Sequence, residues 1–226
     1  MSSENESVAV SIPAGDAVIL GELVLPDGAK GVVLFAHGSG SGRGSTRNNL
    51  VAGHLRQVGF GTLLVDLLTA DEMELDSRTG RLRFDIELLS KRVLAASQWL
   101  DTDPRTSGLA LGYFGASTGA AAALLAAAEL GGKVNAIVSR GGRPDLAIDC
   151  LPKVDAPTLL IVGGADVPVI PLNQEALEEL RCDKELIVVP SAGHLFEEDG
   201  AMEAVSSHAT RWFLRYMDPA GEKGKA

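Results

Sequence analysis

The stretch Leu109-Ala-Leu-Gly-Tyr-Phe-Gly-Ala-Ser-Thr-Gly-Ala-Ala-Ala-Ala-Leu-Leu125 decides how this chain folds. Its first half is apolar and typical of a buried strand, and its second half is rich in Ala and Leu and predicts a helix. Between them stands Gly115-Ala-Ser-Thr-Gly119, a pattern that predicts a sharp turn with the Ser117 hydroxyl raised above the sheet. Glycine is needed two residues on either side of Ser117, because a larger side chain would collide with the neighbouring strand or helix.

Further strands and helices alternate on both sides of this stretch. Short apolar runs predict buried strands at 32–36, 62–65, 134–139, 158–162 and 186–189. Apolar residues at helical spacing predict helices at 48–58, 84–100, 172–180 and 200–216, with a short helix at 145–151. This alternation indicates an α/β fold, in which a mostly parallel central sheet is covered by helices on both faces.

Two segments depart from the alternation. Residues 8–12 and 17–25 are apolar, β-branched runs separated by a Pro-Ala-Gly-Asp turn, which predicts an N-terminal antiparallel hairpin at the edge of the sheet. Residues 67–83 are polar and acidic, and we expect a long irregular loop there. No insertion between the helix after Ser117 and Asp166 is long enough for a separate lid domain.

The composition limits the class of protein. At 226 residues, with 46% hydrophobic and 22% charged residues, the chain predicts one globular domain at 1–217 with a frayed tail at 218–226. A formal net charge of −10 without a basic stripe argues against a nucleic-acid partner. Because no apolar run is long enough for a membrane span and residues 1–7 lack a signal-peptide core, we expect a cytoplasmic monomer or homodimer. The spacing of Cys150 and Cys182 fits no metal or redox motif, so we expect both to be free thiols. A disulfide between them is the alternative.

Three polar side chains at predicted strand ends suit acyl-transfer chemistry. A serine hydroxyl becomes a nucleophile when a base takes its proton, and that base needs an orienting acid. His194 follows the last predicted strand and is the candidate base, while Asp166 ends the preceding strand and is the candidate acid. Because ligands bind at the carboxyl ends of parallel strands, we expect both to meet Ser117 there. Asp66 and Asp199 are the alternative acids.

The candidate oxyanion hole requires two backbone N–H groups near Ser117. Thr118 supplies one because it follows the nucleophile, and Ser39 supplies the other from the glycine loop, residues 37–45. Glycine at 38 suits a backbone that approaches a substrate closely, so His37 and Gly38 are also candidate substrate contacts. We favour a structural role for His37, in which its side chain stabilises the turn by a hydrogen bond.

In their order and spacing these motifs resemble those of α/β-hydrolases, and more narrowly those of the dienelactone-hydrolase-like branch. The shared features span roughly residues 17–217 and are the His37-Gly-Ser-Gly loop, Gly-Ala-Ser117-Thr-Gly, Gly-Gly-Ala-Asp166 and Gly-His194. The resemblance implies an α/β-hydrolase fold that cleaves a small-molecule ester, lactone or other acyl substrate without metal or cofactor, through an acyl-enzyme. Dienelactone hydrolases carry cysteine as nucleophile, so Ser117 departs from the family pattern and argues against a dienelactone substrate. The lack of an insertion for a lid domain favours small or accessible esters.

Arginines occur in loops at the predicted catalytic edge of a chain that is otherwise acidic: Arg43, Arg47, Arg140 and Arg143. Guanidinium groups bind carboxylate or phosphate well, so we hypothesise that one or two of them, with Arg43 and Arg143 as the candidates, bind an anionic substrate. The alternative is that they form ion pairs that hold loops in place, with Asp66, Asp71 or Asp145.

Two other classes of function compete with a carboxylesterase. A dinucleotide-dependent oxidoreductase shares the order strand, glycine loop, helix, strand and acid, but Arg43 or Ser45 replaces the third glycine of its fingerprint. A hydrolase fold that binds a ligand or partner with little turnover is the second alternative, because sequence does not measure a rate.

Overall fold

The structure, a computed structural model, describes residues 6–218 and is built on eight strands and six α-helices within that range. The strands are β1 (Ser7–Ala14), β2 (Ala17–Val24), β3 (Gly31–Ala36), β4 (Gly61–Val65), β5 (Ala110–Ala116), β6 (Val134–Arg140), β7 (Thr158–Gly163) and β8 (Lys184–Val189). The helices are α1 (Thr46–Gln57), α2 (Ala70–Thr79), α3 (Ile86–Thr102), α4 (Thr118–Leu130), α5 (Ile170–Glu179) and α6 (Ala201–Met217). The predicted frayed tail lies outside the described residues except for Asp218.

The strands form one mixed sheet in the order β1-β2-β4-β3-β5-β6-β7-β8. Both pairs that involve β2 are antiparallel, and the other pairs are parallel. The predicted α/β-hydrolase architecture, with its N-terminal hairpin at the sheet edge, is confirmed. Because β5 lies in the middle of the parallel strands, its carboxyl end is surrounded by loops from neighbouring strands.

Apolar cores fill both faces of the sheet. Strand β3 is buried throughout, and its successive side chains point to opposite faces. Leu34 packs in the core that includes α3 and α4, whereas Val33 and Phe35 pack in the core that includes α1 and α6. The predicted helices on both faces are therefore present. No helix among the described residues is long and apolar enough to cross a membrane.

The expectation of an irregular loop at 67–83 is wrong. This segment contains α2 and a 3-10 turn, Leu82–Phe84. A capping box begins the helix, in which Thr69 and Glu72 bind each other's backbone N–H groups. Only Asp76 of α2 is buried, so the helix carries no apolar stripe for a periodicity argument to detect.

Ion pairs attach α2 to the rest of the fold. Arg83 donates to both carboxylate oxygens of Asp76, through its backbone N–H at 3.0 Å and its Nε at 2.7 Å. Arg92 of α3 reaches Glu72 with a guanidinium–carboxylate distance of 2.8 Å. These contacts hold α2 beside the glycine loop.

Candidate active site

Ser117 occupies a strained turn between β5 and α4. Its φ of 50° and ψ of −122° are unusual for a residue with a side chain. A Cβ on Gly119 would lie 2.3 Å from the Ala36 carbonyl oxygen of β3, and one on Gly115 would lie 2.4 Å from Ala120 Cα. The clashes with strand and helix on which the sequence interpretation depends are thus present on both sides.

His194 and Asp166 meet at the neighbouring strand ends. The carboxylate accepts a hydrogen bond from His194 Nδ1 at 2.7 Å, and this fixes the ring with Nε2 as the free acceptor. Asp166 is buried, whereas the His194 side chain is 38% exposed. The pair therefore combines a buried carboxylate with an imidazole that a small molecule can reach.

Contacts through β6 bring this pair to the Ser117 turn. Ser117 N–H donates to the Arg140 carbonyl at 3.2 Å. Gly141, which follows Arg140 in the chain, packs against His194. A Cβ on Gly141 would lie 3.1 Å from the His194 carbonyl oxygen and 3.7 Å from its Nδ1. Among the described residues no hydrogen bond joins the Ser117 hydroxyl to His194, and catalytic bonds of this kind often tighten only when substrate binds.

The two candidate oxyanion donors also lie together. The Ser39 and Thr118 hydroxyls are 3.1 Å apart, and a Cβ on Gly38 would lie 2.9 Å from Ser117 Cβ. Thr118 is the first residue of α4, where backbone N–H groups have no partner within the helix. The first turn of α4 contains no acidic residue, so the positive end of the helix dipole remains available to an anion.

His37 holds the glycine loop in place. Its Nε2 accepts from the Leu67 N–H at 2.9 Å, and its Nδ1 donates to the Gly38 carbonyl at 2.9 Å. Burial lowers the pKa of His37, which favours the neutral ring that this pair of bonds requires. Because both ring nitrogens are engaged with backbone, a substrate contact by His37 remains only a prediction.

Arg43 and Arg143 are paired with carboxylates in the way the alternative interpretation describes. Arg43 Nη1 lies 2.7 Å from Asp66, which also accepts the Arg43 backbone N–H at 2.8 Å. Arg143 forms a two-point contact with Asp145 at 2.8 and 2.7 Å, and this hydrogen bonding raises the pKa of Arg143. The Asp66 carboxylate therefore binds Arg43 in the glycine loop.

Arg47 and Arg140 are placed differently. Arg47 lies 3.0 Å from Glu197, whose side chain is 67% exposed. The buried Arg140 donates weakly to the Asn48 side chain at 3.4 Å and lies 5.8 Å from the centre of the Phe196 ring. Burial and the nearby Arg47 charge lower the pKa of Arg140 to about 10. The expectation that both arginines lie in loops is wrong, because Arg47 is in the first turn of α1 and Arg140 is the last residue of β6.

A cleft of about 620 Å³ opens beside Ser39 and Thr118, the candidate oxyanion donors. Its lining comes from the glycine loop and from the starts of helices, and includes Ser39, Ser41, Ser45, Thr46, Arg47, Leu68, Met73, Leu89 and Thr118. One wall belongs to α2, so the segment expected to be irregular is a structured boundary of the site. The sequence signal that identifies this helix is the capping-box pair Thr69 and Glu72. No group of three His, Cys, Asp or Glu side chains within residues 6–218 is arranged to hold a metal ion.

Comparisons with known proteins agree with the architecture. Two curated Mycobacterium tuberculosis proteins are each 51% identical over 215 residues, covering 95% of this chain and 48% of the relative. Both are provisionally named phosphoribosyl transferases, and the chain spans about half their length. A lidless α/β serine hydrolase from Xanthomonas campestris, 19% identical with a TM-score of 0.75, covers 94% of this chain and 96% of its own and shares the fold.

A family assignment comes from two further matches. The crystal structure of dienelactone hydrolase from Anabaena variabilis is 57% identical, with a TM-score of 0.91, and the match covers 93% of this chain and 98% of that one. The sequence profile of the dienelactone hydrolase family matches residues 19–219. The chain therefore belongs to the dienelactone hydrolase family.

Proposed function

We propose that this protein is a serine hydrolase that cleaves carboxylic esters of small, accessible substrates. The observation that carries the proposal is the 2.7 Å bond from His194 to the buried Asp166, beside a serine in a strained turn. In this proposal Ser117 is the nucleophile, His194 the general base and Asp166 the orienting acid. The chemistry needs no metal or cofactor.

The reaction follows from the geometry in two halves. His194 Nε2 takes the Ser117 proton as the hydroxyl oxygen attacks the ester carbonyl, and the Asp166 carboxylate stabilises the imidazolium. The Ser39 and Thr118 N–H groups stabilise the oxyanion. His194 then gives the proton to the departing alcohol, which leaves an acyl group on Ser117. A water molecule, deprotonated by His194, releases the acid and restores the enzyme.

The transferase name of the mycobacterial relatives supports no alternative assignment for this chain. That name belongs to proteins about twice as long, and the chain aligns with 48% of each. In this chain, the fold and the arrangement of Ser117, Asp166 and His194 support hydrolysis. We therefore do not extend the phosphoribosyl transferase name of these longer proteins to this chain.

Replacing Ser117 tests the proposal directly. We expect Ser117→Ala to lower the hydrolysis of p-nitrophenyl acetate and butyrate by at least about a thousandfold, because the nucleophile is lost. A fluorophosphonate probe should label wild type on the peptide that contains Ser117. Ser107→Ala is the matched control, since Ser107 is exposed and lies just before the amino end of β5, whereas Ser117 follows its carboxyl end.

The outcomes separate the competing functions. Undiminished turnover in Ser117→Ala, or labelling of another residue, would contradict the assignment of the nucleophile. A wild-type protein that neither turns over the esters nor reacts with the probe would instead favour the binding-protein alternative.

A further inference from the structure

The charges of the four arginines near the candidate active site are neutralised unequally. Asp66 and Asp145 hold Arg43 and Arg143 at 2.7 Å. By contrast, Arg47 faces a largely exposed glutamate, and the only polar side-chain partner of Arg140 among the described residues is an amide oxygen at 3.4 Å. Arg47 and Arg140 are therefore less completely neutralised than the other two arginines.

Arg140 and Arg47 also have unused hydrogen-bond donors. The Nε atom of each is buried and has no partner among the described residues. Arg140 is only 5% exposed, and its guanidinium lies against Asn48 in the first turn of α1. A buried guanidinium without a carboxylate costs free energy, and an arriving anion would offset that cost.

The start of α1 forms one end of the cleft. Ser45 caps the helix by accepting from the Asn48 N–H, and the first turn contains no acidic residue. Ser41, Thr46 and Arg47 line the cleft at this end. Backbone N–H groups, hydroxyls and the Arg47 guanidinium thus meet at the positive end of a helix dipole, an arrangement that favours anions. The buried Arg140 does not line the cleft and adds its charge from behind Asn48.

We propose that this end of the cleft binds a phosphate group of the substrate. The inference rests on the proposed function and gives its substrate class, phosphorylated carboxylic esters. Phosphate fits better than carboxylate because it carries up to two charges and three terminal oxygens, which matches donors arriving from a helix start, from hydroxyls and from the Arg47 guanidinium. The bond that breaks is the carboxylic ester, and the phosphate stays on its product.

Glu197 forms an ion pair with Arg47 at 3.0 Å. The Glu197 side chain is 67% exposed, so it can turn to solvent and release the guanidinium. We therefore expect Glu197 to compete with phosphate for Arg47. Its neutral variant, Glu197→Gln, should bind phosphate more tightly than wild type.

The site is tested by inhibition, with p-nitrophenyl acetate as a neutral substrate at constant ionic strength. Inorganic phosphate should inhibit wild type competitively and more strongly than formate, a planar carboxylate. Arg47→Gln should raise the inhibition constant for phosphate about 10- to 100-fold, the range expected for loss of a charge-assisted contact. Arg181→Gln removes the same charge from an exposed position between α5 and β8, at the opposite edge of the sheet, and should not change it.

The substrate class is tested with three esters followed by acid release: ethyl acetate, 2-acetoxyethyl phosphate and ethyl phosphoglycolate. We expect kcat/KM to be at least about tenfold higher for one phosphorylated ester than for ethyl acetate, with the advantage lost in Arg47→Gln. The proposal would be overturned if phosphate inhibited wild type and Arg47→Gln equally, or if formate inhibited more strongly than phosphate. It would also be overturned if the enzyme preferred neither phosphorylated ester to ethyl acetate. Labelling of Ser117 and turnover of neutral esters test the serine-hydrolase function separately.

Discussion

At the scale of single residues, backbone strain is concentrated around the candidate catalytic groups. The non-glycine residues with positive φ in the described chain are Ser117, Ser191 and Phe196, at 50°, 61° and 54°. Ser117 is the candidate nucleophile, and the other two lie on either side of His194. Such conformations cost about 1–3 kcal/mol each and persist where packing determines them. Phe196 meets this condition because it is fully buried beside Arg140.

His37 gives a prediction about pH and stability. Burial lowers its pKa in the folded state from the ordinary value of 6.5, so below pH 6.5 the unfolded chain binds a proton that the folded chain excludes. As the pH falls from 6.5 towards the folded-state pKa, this residue should reduce the free energy of unfolding by up to about 1.4 kcal/mol per pH unit. His37→Gln keeps an acceptor for the Leu67 N–H without titrating and should remove that part of the slope.

Urea unfolding of wild type and His37→Gln between pH 8 and pH 5 measures this effect. Because other groups titrate in both proteins, the difference between the two curves is the relevant quantity. Curves that stay parallel throughout the range would show that His37 takes up a proton equally in the folded and unfolded states.

At the scale of elements, the sequence predicts the strands and most helices because burial imposes a clear pattern. Strands β3 and β7 are apolar at nearly every position, since helices cover both faces of the sheet. Helix α2 lacks such a pattern because ion pairs and a capping box hold it in place, and its single buried residue is Asp76. Periodicity arguments detect apolar stripes and miss helices held by polar contacts.

The same distinction applies to the candidate active site, part of which could be predicted from the sequence and part of which could not. The order of Ser117, Asp166 and His194 along the chain could be read from the sequence because each follows a recognisable strand. The sequence does not show which arginines are paired with carboxylates, because pairing depends on the directions of the side chains in the folded chain. The sequence hypothesis favours Arg43 and Arg143 as anion ligands, while the structure leaves Arg47 and Arg140 with unused donors.

Helix α2 offers a prediction with an internal control. Asp76→Ala should lower the free energy of unfolding by about 1–3 kcal/mol, because Asp76 is buried and accepts two hydrogen bonds from Arg83. Glu74→Ala removes the carboxylate of an exposed pair with Arg78 on the same helix and should cost about 0.5 kcal/mol or less.

Denaturant unfolding gives both energies, and amide hydrogen exchange across residues 70–84 shows where protection is lost. Exchange should accelerate there in Asp76→Ala and remain near wild type in Glu74→Ala. If the two variants behave alike, the buried pair does not anchor α2, and another contact holds this wall of the cleft.

At the scale of the whole molecule, one sheet carries two cores and the candidate active site. Loops from β3, β5, β6, β7 and β8 all meet at the same edge, so the relative positions of Ser117, Asp166 and His194 depend on the sheet. Neither core is complete without that sheet, because neighbouring residues of β3 belong to different cores. We therefore expect residues 6–217 to unfold cooperatively.

Two adjacent substitutions in β3 test this cooperativity. Leu34→Ala removes buried volume from the core on the α3 and α4 face and should cost about 2–5 kcal/mol. Phe35→Leu alters the opposite core, where the Phe35 and Phe114 ring centres are 5.0 Å apart, and should cost about 1–2 kcal/mol. In calorimetry both variants should lower the midpoint of a single transition, by about 2–4 °C for each kcal/mol. Two transitions, each moved by only one substitution, would mean that the two faces unfold as separate units and would contradict the single-domain prediction.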